Sequence, residues 1–132
     1  MPELVLVRGL PGSGKSTYAR SLGIPHFEAD QYFMVEGEYL FDRSRLSEAH
    51  ADCQQRTLDC LLSGNSCVVS NTFTMRWELA NYYRMADETG AKVRVVDLFD
   101  GGLSDAQLAT RNLHGVPVET IAAMRNRWQS LE

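Results

Sequence analysis

The sequence predicts a single α/β domain in which a small parallel sheet is flanked by helices. Short apolar runs alternate with segments of helical spacing along the chain, as is typical of parallel sheets that are covered on both faces. A glycine-rich turn also separates the first apolar run from the first helical segment. We assign residues 1–132 to this one domain, because the length suits a single hydrophobic core of ordinary size.

The first half of the chain supplies two strands and two helices. Residues 4–7 are a short apolar run that ends at the glycine-rich turn, so they predict a buried strand. A helix follows over residues 15–22 and ends before Pro25, and residues 26–29 form a short second strand. After an irregular stretch rich in aromatic residues, the spacing of apolar side chains predicts a helix over residues 46–62.

The second half repeats the alternation. Apolar runs predict strands over residues 67–70 and 93–99, and a helix over residues 76–89 lies between them. Two more helices are predicted over residues 105–113 and 118–129, separated by a break that contains Gly-Val-Pro. We expect the four strands in the order 2-3-1-4, because right-handed crossovers leave few other topologies.

Composition and charge exclude several classes of protein. The net charge of −4 argues against a protein that coats DNA through an overall excess of basic residues, so a polyanion would need a local basic cluster. The apolar runs are too short to cross a bilayer, and no secretory signal pattern is present, so we expect no membrane partner. Three cysteines without C-x-x-C spacing argue against disulfides or zinc and favour a cytoplasmic location.

The most specific motif fits G-x-x-x-x-G-K-[ST], the phosphate-binding P-loop, and lies between a strand and a helix as that motif requires. Its glycines let backbone N–H groups turn inward around phosphate oxygens, and the following helix adds the positive end of its dipole. Lys15 would reach the β- and γ-phosphates, and the Ser16 hydroxyl would ligate Mg²⁺. The sequence therefore predicts ATP and Mg²⁺ as cofactors. The expected nucleotide contacts are Gly9, Pro11, Gly12, Ser13, Gly14, Lys15, Ser16, Thr17 and Arg111.

Elimination among P-loop proteins leaves a small kinase. A G protein needs an Asn-Lys-x-Asp segment, and neither Lys15 nor Lys92 lies in one. Motor ATPases place an acid at the end of the strand beside the P-loop, whereas the third predicted strand ends in Ser70-Asn71. The length also leaves no room for the subdomains of such a motor.

A kinase needs a proton acceptor and positive charge near the transferred phosphate. Asp30 follows the second predicted strand, whose carboxyl end shares the P-loop crevice, so it can take the proton of an attacking hydroxyl. The alternative for Asp30 is a helix cap. Arg111 fits an arginine on a helical lid over residues 101–117, and the alternative is a solvated surface arginine. His114 fits a structural role in the break between two helices better than a catalytic one.

Taken together, these residues resemble the polynucleotide-kinase type of P-loop kinase over nearly the whole chain. The Arg111-Asn112-Leu113-His114-Gly115-Val116-Pro117 segment is most similar to small single-domain kinases, including phage enzymes that phosphorylate 5-hydroxymethyluracil in DNA. The resemblance implies that Asp30 activates the acceptor and that Arg111 contacts the donor phosphates. Asn71 and Phe33 stand where the phage end-labelling kinase has an aspartate and a phosphate-binding arginine. These two departures argue against phosphorylation of a 5′-end and favour an acceptor that is held by stacking.

Five aromatic residues fall near the predicted acceptor side, where they could stack on bases, although we expect at least two of them to fill the core. They are Tyr32, Phe33, Tyr39, Phe41 and Phe73. Arg43, Arg76, Arg125 and Arg127 could contact strand phosphates, with surface arginine as the alternative for each. The substrate contacts that we expect are Tyr32, Phe33, Arg43, Asn71, Thr72, Phe73 and Arg76.

The sequence thus predicts an ATP-dependent kinase that phosphorylates a hydroxyl on nucleic acid, with DNA as the expected partner. The hydroxymethyl group of 5-hydroxymethyluracil in phage DNA is the first choice of acceptor, and a 5′-hydroxyl is the second. A kinase for a nucleoside, sugar or metabolite is favoured by the acidic net charge. A non-catalytic, nucleotide-gated binding module is the remaining alternative.

Overall fold

The computed structural model describes residues 1–131 and has alternating strands and helices. The strands are β1 (Glu3–Gly9), β2 (His26–Phe27), β3 (Met34–Val35), β4 (Glu38–Tyr39), β5 (Cys67–Asn71) and β6 (Lys92–Phe99). The helices are α1 (Lys15–Ser21), α2 (Leu46–Leu62), α3 (Trp77–Thr89), α4 (Asp105–Arg111) and α5 (Val118–Arg127). The α/β class that the sequence predicts is confirmed.

Four parallel strands form the central sheet in the order β2-β5-β1-β6. This is the predicted order 2-3-1-4 once the four sheet strands are numbered in sequence. Parallel pairing brings the carboxyl ends of β1, β2 and β5 to the same edge of the sheet. The loops that follow these three strands therefore meet at one place.

The central strand β1 separates two cores. Its side chains alternate between the faces of the sheet, as in any extended strand. Leu4 and Leu6 pack in the larger core with side chains from α2 and α3, whereas Val5 and Val7 pack with Ala19 of α1. Both faces of this strand are fully buried, which explains why the sequence has an uninterrupted apolar run there.

The aromatic stretch between β2 and α2 forms more structure than the sequence indicates. The predicted second strand ends at Phe27, because Glu28 begins a 3₁₀ helix over Ala29–Phe33. The Glu28 N–H donates to the side-chain oxygen of Gln31, and the Gln31 N–H donates to the Glu28 carbonyl oxygen, both at 3.2 Å. The short antiparallel hairpin β3–β4 and a second 3₁₀ helix over Arg43–Arg45 follow. Within residues 1–131, no helix is both long and apolar enough to span a membrane.

A buried arginine ties the end of β1 to three other segments. Arg8 is fully buried and donates to the carbonyl oxygens of Phe73 (2.7 Å) and Gln129 (2.8 Å) and to the Asp97 carboxylate (3.2 Å). Its guanidinium also lies 4.0 Å from the ring centre of Trp128. Burial lowers the pKa of Arg8, and Asp97 partly offsets that effect. One side chain thus fixes the loop after β5, strand β6 and the C-terminal segment against the residue before the P-loop.

We expect Arg8→Met to lower the free energy of unfolding by about 2–4 kcal/mol, because the buried carbonyl oxygen of Phe73 and the partly buried one of Gln129 lose their donor. Urea titration followed by circular dichroism measures this change. Arg94→Met is the matched control, because Arg94 on β6 is about half exposed and makes two exposed contacts, a long 3.6 Å ion pair with Glu3 and a 3.3 Å hydrogen bond to the Tyr18 hydroxyl. We expect the control to change stability by about 0.5 kcal/mol or less. Equal losses in the two variants would contradict the role given to Arg8.

Candidate active site

The P-loop presents unpaired backbone donors. Helix α1 begins at Lys15, and Gly14, its N-cap with φ of 100°, offers no side chain to cap the first turn. The backbone N–H groups of Lys15 and Ser16 have no acceptor within residues 1–131. The Ser13 hydroxyl is buried and also lacks a partner in the part of the chain that the structure describes. This set of free donors fits a bound polyphosphate.

The P-loop packs directly on the backbone of α4. Gly12 has φ of 82°, and a Cβ added there would lie 2.5 Å from the carbonyl oxygen of Leu108. Only glycine combines this positive φ with such a close approach. The position of the phosphate cradle is therefore coupled to the helix that carries Arg111.

Lys15 lies in the cleft beside two carboxylates. Its ammonium group donates to the carbonyl oxygen of Leu10 at 3.1 Å. Burial lowers the pKa of Lys15 to about 8, while the nearby charges of Glu28 and Asp30 oppose that shift. A phosphate would favour the charged form of Lys15. The P-loop lysine is therefore close enough to the predicted proton acceptor Asp30 for their charges to interact.

Sequence reasoning missed Glu28, which contacts the P-loop directly. Its carboxylate accepts hydrogen bonds from the hydroxyls of Ser16 (2.9 Å) and Ser70 (3.0 Å) and lies 3.4 Å from Nε2 of His26. Burial alone would raise its pKa, but the hydrogen bonds from His26, Ser16 and Ser70 outweigh burial and hold the pKa at about 2. Glu28 is therefore ionised at neutral pH. The sequence does contain a signal for it, an acid directly after β2, whereas the elimination of motor ATPases depends only on the end of β5.

Asp30 also lines the cleft and is not the helix cap. Glu28 occupies the N-cap position of the 3₁₀ helix. The Asp30 carboxylate accepts a hydrogen bond from the Tyr39 hydroxyl (2.9 Å) and lies 3.5 Å from Nε2 of His114. Burial and the charge of Asp30 raise the pKa of Tyr39, so the phenol remains a donor. Sequence reasoning did not identify Tyr39 or His114 as partners of Asp30, because the hairpin and the α4–α5 loop bring them there.

The side chain of Asn112 organises the α4–α5 loop. Its amide donates to the carbonyl oxygens of Leu108, Ala109 and Val116, and its oxygen accepts from the N–H of Val116 (2.8 Å). Asn112 adopts an extended conformation, so α4 ends at Arg111, two residues before the predicted end. This local network turns Arg111 and His114 toward the cleft.

The cleft at this edge of the sheet has a volume of about 920 Å³. Most of the predicted site residues line it: Pro11, Gly12, Gly14, Lys15, Ser16, Thr17, Asp30, Arg43, Asn71, Thr72 and Arg111. Gly9 and Ser13 lie in the P-loop but are not among the residues that line the cleft. Asn71 is mostly buried, and its side-chain oxygen accepts from the N–H of Ala29. It therefore also holds the start of the 3₁₀ helix.

Four predicted substrate contacts do not face the cleft. Phe33 and Phe73 are each 3% exposed and fill the main core, which agrees with the expectation that at least two of the five aromatics do so. The Tyr32 hydroxyl bonds to Glu48 and Arg45 on the surface. Arg76 donates from its backbone to Gln129 and from Nε to Ser130, which holds it on the C-terminal segment. None of these four residues lines the cleft, so the structure does not bring them together with the other predicted site residues.

The four arginines suggested as contacts to nucleic-acid phosphates lie in different environments. Arg125 pairs with Asp100 (2.7 Å) and Asp105 (2.8 Å), so its charge is committed to joining α5 and the α4 region. Arg43 and Arg127 line the cleft, and Nε of Arg127 donates to Thr74. Residue type alone could not separate these roles, because the partners lie far away in sequence.

Comparison with known proteins gives both sequence and structural likenesses. The AAA domain family matches residues 4–131. NEDD4-binding protein 2 of Homo sapiens is 37% identical over 134 residues, which cover 96% of this chain and 8% of that protein. This chain thus spans a small part of that relative.

Two solved structures share the fold. A chain from the Pnkp1/Rnl/Hen1 RNA repair complex superimposes with a TM-score of 0.74 at 19% identity, over 96% of this chain and 43% of that one. A sugar kinase from Janibacter sp. HTCC2649 superimposes with a TM-score of 0.69 at 20% identity, over 100% of this chain and 80% of that one. At these identities the likeness establishes the fold.

We expect Gly12→Ala to weaken ATP binding by roughly ten- to a hundredfold, because the added Cβ displaces the phosphate cradle from α4. Isothermal titration calorimetry measures this affinity. Gly64→Ala is the matched control, since Gly64 has the same φ of 82° with open space around it. Both variants carry about 1–2 kcal/mol of left-handed strain, but only Gly12→Ala adds a backbone clash. Unchanged ATP affinity in Gly12→Ala would contradict the coupling between the P-loop and α4.

Proposed function

Because the chain belongs to the AAA domain family and has the fold of P-loop kinases, we propose that it is an ATP-dependent kinase acting on an alcohol. The observation that carries this proposal is the joint placement of Lys15 and Asp30 in one cleft. A lysine for the donor phosphates and an ionisable carboxylate for the acceptor are the two groups that phosphoryl transfer requires. Ser16 is the P-loop residue that would hold Mg²⁺, which neutralises phosphate charge when bound.

The reaction would be a direct displacement at the γ-phosphorus. The acceptor oxygen forms a new bond to phosphorus, the bond from phosphorus to the β,γ-bridging oxygen breaks, and ADP leaves. The acceptor proton passes to the Asp30 carboxylate, whose side chain is 41% exposed and thus accessible from the cleft. Tyr39 holds that carboxylate through its hydroxyl. Arg111 supplies positive charge toward the donor phosphates.

We propose that residues 101–117 act as a lid. Two contacts support this assignment: α4 packs on Gly12 of the P-loop, and His114 approaches Asp30 on the acceptor side. A segment that touches both halves of the site is positioned to exclude water during transfer.

An aromatic shelf beside Asp30 favours an acceptor that carries a base. We define the shelf as Tyr39, Phe41 and His114. The rings of Tyr39 and Phe41 lie 15° from parallel, those of Tyr39 and His114 have centres 4.3 Å apart, and Phe41 is 50% exposed. Exposed aromatic faces bind bases by stacking, including bases that are turned out of a duplex.

The charge of the cleft also suits an anionic acceptor. Five lysines and arginines line it, against four carboxylates: Lys15, Arg20, Arg43, Arg111 and Arg127, against Glu28, Asp30, Glu78 and Glu119. The whole chain has the opposite balance, with 13 basic and 17 acidic residues. Arg43 and Arg111 pair with no carboxylate in the described residues 1–131, so both can meet phosphates. We therefore propose nucleic acid as the acceptor. Within nucleic acid, we propose the hydroxymethyl group of 5-hydroxymethyluracil in DNA, because the Arg111–Pro117 segment resembles kinases for that base.

A small-molecule kinase is the second candidate, and the net charge of −4 is the observation that favours it. One panel of acceptors separates the candidates. Protein, Mg²⁺ and γ-labelled ATP are incubated with DNA containing 5-hydroxymethyluracil, unmodified DNA with 5′-hydroxyl ends, and free nucleosides and sugars. Mass spectrometry of the digested nucleosides locates the label.

We expect the label on the hydroxymethyl group of the modified DNA. Label on 5′-ends alone would support a nucleic-acid kinase and exclude the modified base as its acceptor. Label on free nucleosides or sugars alone would reject nucleic acid. ATP binding without any phosphate transfer would exclude the kinase function and favour the alternative of a nucleotide-gated binding module.

We expect Asp30→Asn to slow transfer by about 10²–10⁴-fold, because the acceptor proton loses its base. ATP affinity, measured by calorimetry, should stay close to that of the wild type. Asp87→Asn on the exposed face of α3 makes the same charge change outside the cleft and serves as the control. Full transfer by Asp30→Asn would exclude Asp30 as the base.

We expect Phe41→Ala to raise the KM for a base-bearing acceptor roughly 5- to 100-fold, as the loss of about 1–3 kcal/mol of stacking implies. Steady-state kinetics at saturating ATP measures this effect. Trp77→Ala is the control, because Trp77 is 71% exposed and lies outside the cleft. An equal KM in the wild type and Phe41→Ala would remove the stacking role of the shelf.

A further inference from the structure

The hydroxyl of the P-loop serine already lies against a carboxylate. Ser16 donates to Glu28 at 2.9 Å, although 12 residues separate them in sequence. The same Glu28 oxygen also accepts from Ser70 at 3.0 Å and lies 3.4 Å from the His26 imidazole. The side chain of Glu28 is only 18% exposed. Three neighbouring side chains thus hold this carboxylate in one place at the edge of the cleft.

The position where P-loop enzymes commonly carry a metal-holding acid has none here. Such enzymes place an aspartate on the strand beside the P-loop strand. In this chain that strand is β5, which pairs with β1 and ends in Ser70-Asn71. Strand β2 lies on the other side of β5, with Phe27 opposite Val69, so Glu28 follows at the level of Ser70.

Side-chain length explains how an acid on the outer strand reaches the P-loop. Glutamate extends one methylene further than aspartate, and the small side chain of Ser70 leaves space across β5. The result is a carboxylate that starts one strand further out and still contacts Ser16. The Ser70 hydroxyl, which occupies the β5 position, has become one of its hydrogen-bond donors.

We propose that Glu28 and Ser16 together hold the Mg²⁺ of the bound nucleotide, with the acid displaced from the end of β5 to the end of β2. This inference rests on the proposed binding of Mg·ATP. The residues fit the ion: Mg²⁺ in nucleotide sites takes one or two protein oxygens and fills its remaining positions with phosphates and waters. Within residues 1–131 no group of three acidic, histidine or cysteine side chains forms a site of its own. The Ser16 oxygen keeps lone pairs for a metal while its O–H donates to Glu28.

The role of His26 and Ser70 is to position this carboxylate. His26 contacts both Ser70 (2.6 Å) and Glu28, so the three side chains form a closed network. Such surrounding hydrogen bonds orient metal ligands, and the loss of one such partner typically weakens metal binding about 10–100-fold.

The test measures how much Mg²⁺ strengthens nucleotide binding, without measuring transfer. ATP affinity is determined by calorimetry in Mg²⁺ and again in EDTA, and the ratio of the two affinities is the magnesium gain. We expect Glu28→Gln to reduce the magnesium gain about 10–100-fold while leaving affinity in EDTA no weaker than in the wild type. Glu119→Gln removes a charge from the same cleft without contact to Ser16, and should keep the gain.

A rescue variant makes the test specific to the displaced acid. Ser70→Asp in the Glu28→Gln background returns a carboxylate to the end of β5, and we expect it to restore most of the magnesium gain. Should Glu28→Gln fail to fold, as judged by its Tm, Glu28→Asp keeps the charge and shortens the reach. We expect that variant to lower the gain at least threefold.

The outcomes separate this inference from the proposed function. If the wild-type protein binds no ATP, or binds it equally well with and without Mg²⁺, both the proposed kinase function and the role of Glu28 are overturned. If the wild type shows a clear magnesium gain and Glu28→Gln or Glu28→Asp shows the same gain, the proposed kinase function stands and the role of Glu28 is overturned. A loss in Glu119→Gln equal to that in Glu28→Gln would mean that cleft charge in general, and not this contact, sets the gain, and would also overturn it.

Discussion

The guanidinium of Arg8 is the contact on which the site's frame depends. It lies in β1 immediately before the P-loop and bonds to the loop after β5, to β6 and to the C-terminal segment. Each of these segments comes from a different part of the chain. A buried arginine is stable only when its donors are paired, so Arg8 holds these three segments in fixed positions relative to one another. The cleft therefore rests on a buried polar anchor.

The fold could be predicted because its signals are local. An uninterrupted apolar run indicates a strand covered on both faces, and helical spacing over residues 46–62 gives α2 with the bounds that the structure has. The P-loop motif fixes the strand–loop–helix unit around it. Residues 30–45 lack such periodicity, and their structure depends on long-range contacts. The Phe33 side chain, for example, lies in the core and packs edge-on against the half-exposed ring of Phe41.

The site was predicted in part, for the same reason. Asp30 and Arg111 lie at ends of elements that topology brings to one edge, so their approach to the P-loop follows from the alternation of strands and helices. Glu28, Tyr39 and His114 depend on pairings that no spacing rule encodes. An aromatic residue near a site predicts either stacking or core packing, and the tertiary packing decides between them, which buries Phe33 and Phe73 and leaves Phe41 half exposed.

Glu28 and Asp30 show how two acids two residues apart acquire different properties. Glu28 is mostly buried and accepts from two hydroxyls, which keeps it charged and fixed against the P-loop. Asp30 is 41% exposed and has the Tyr39 phenol as its donor, so it faces solvent and the shelf. The tight turn after β2 points the two carboxylates to different partners. Carboxylates in contrasting environments suit different tasks, one that stays ionised to hold charge and one that exchanges a proton. A single short turn can thus serve both the donor and the acceptor side of the cleft.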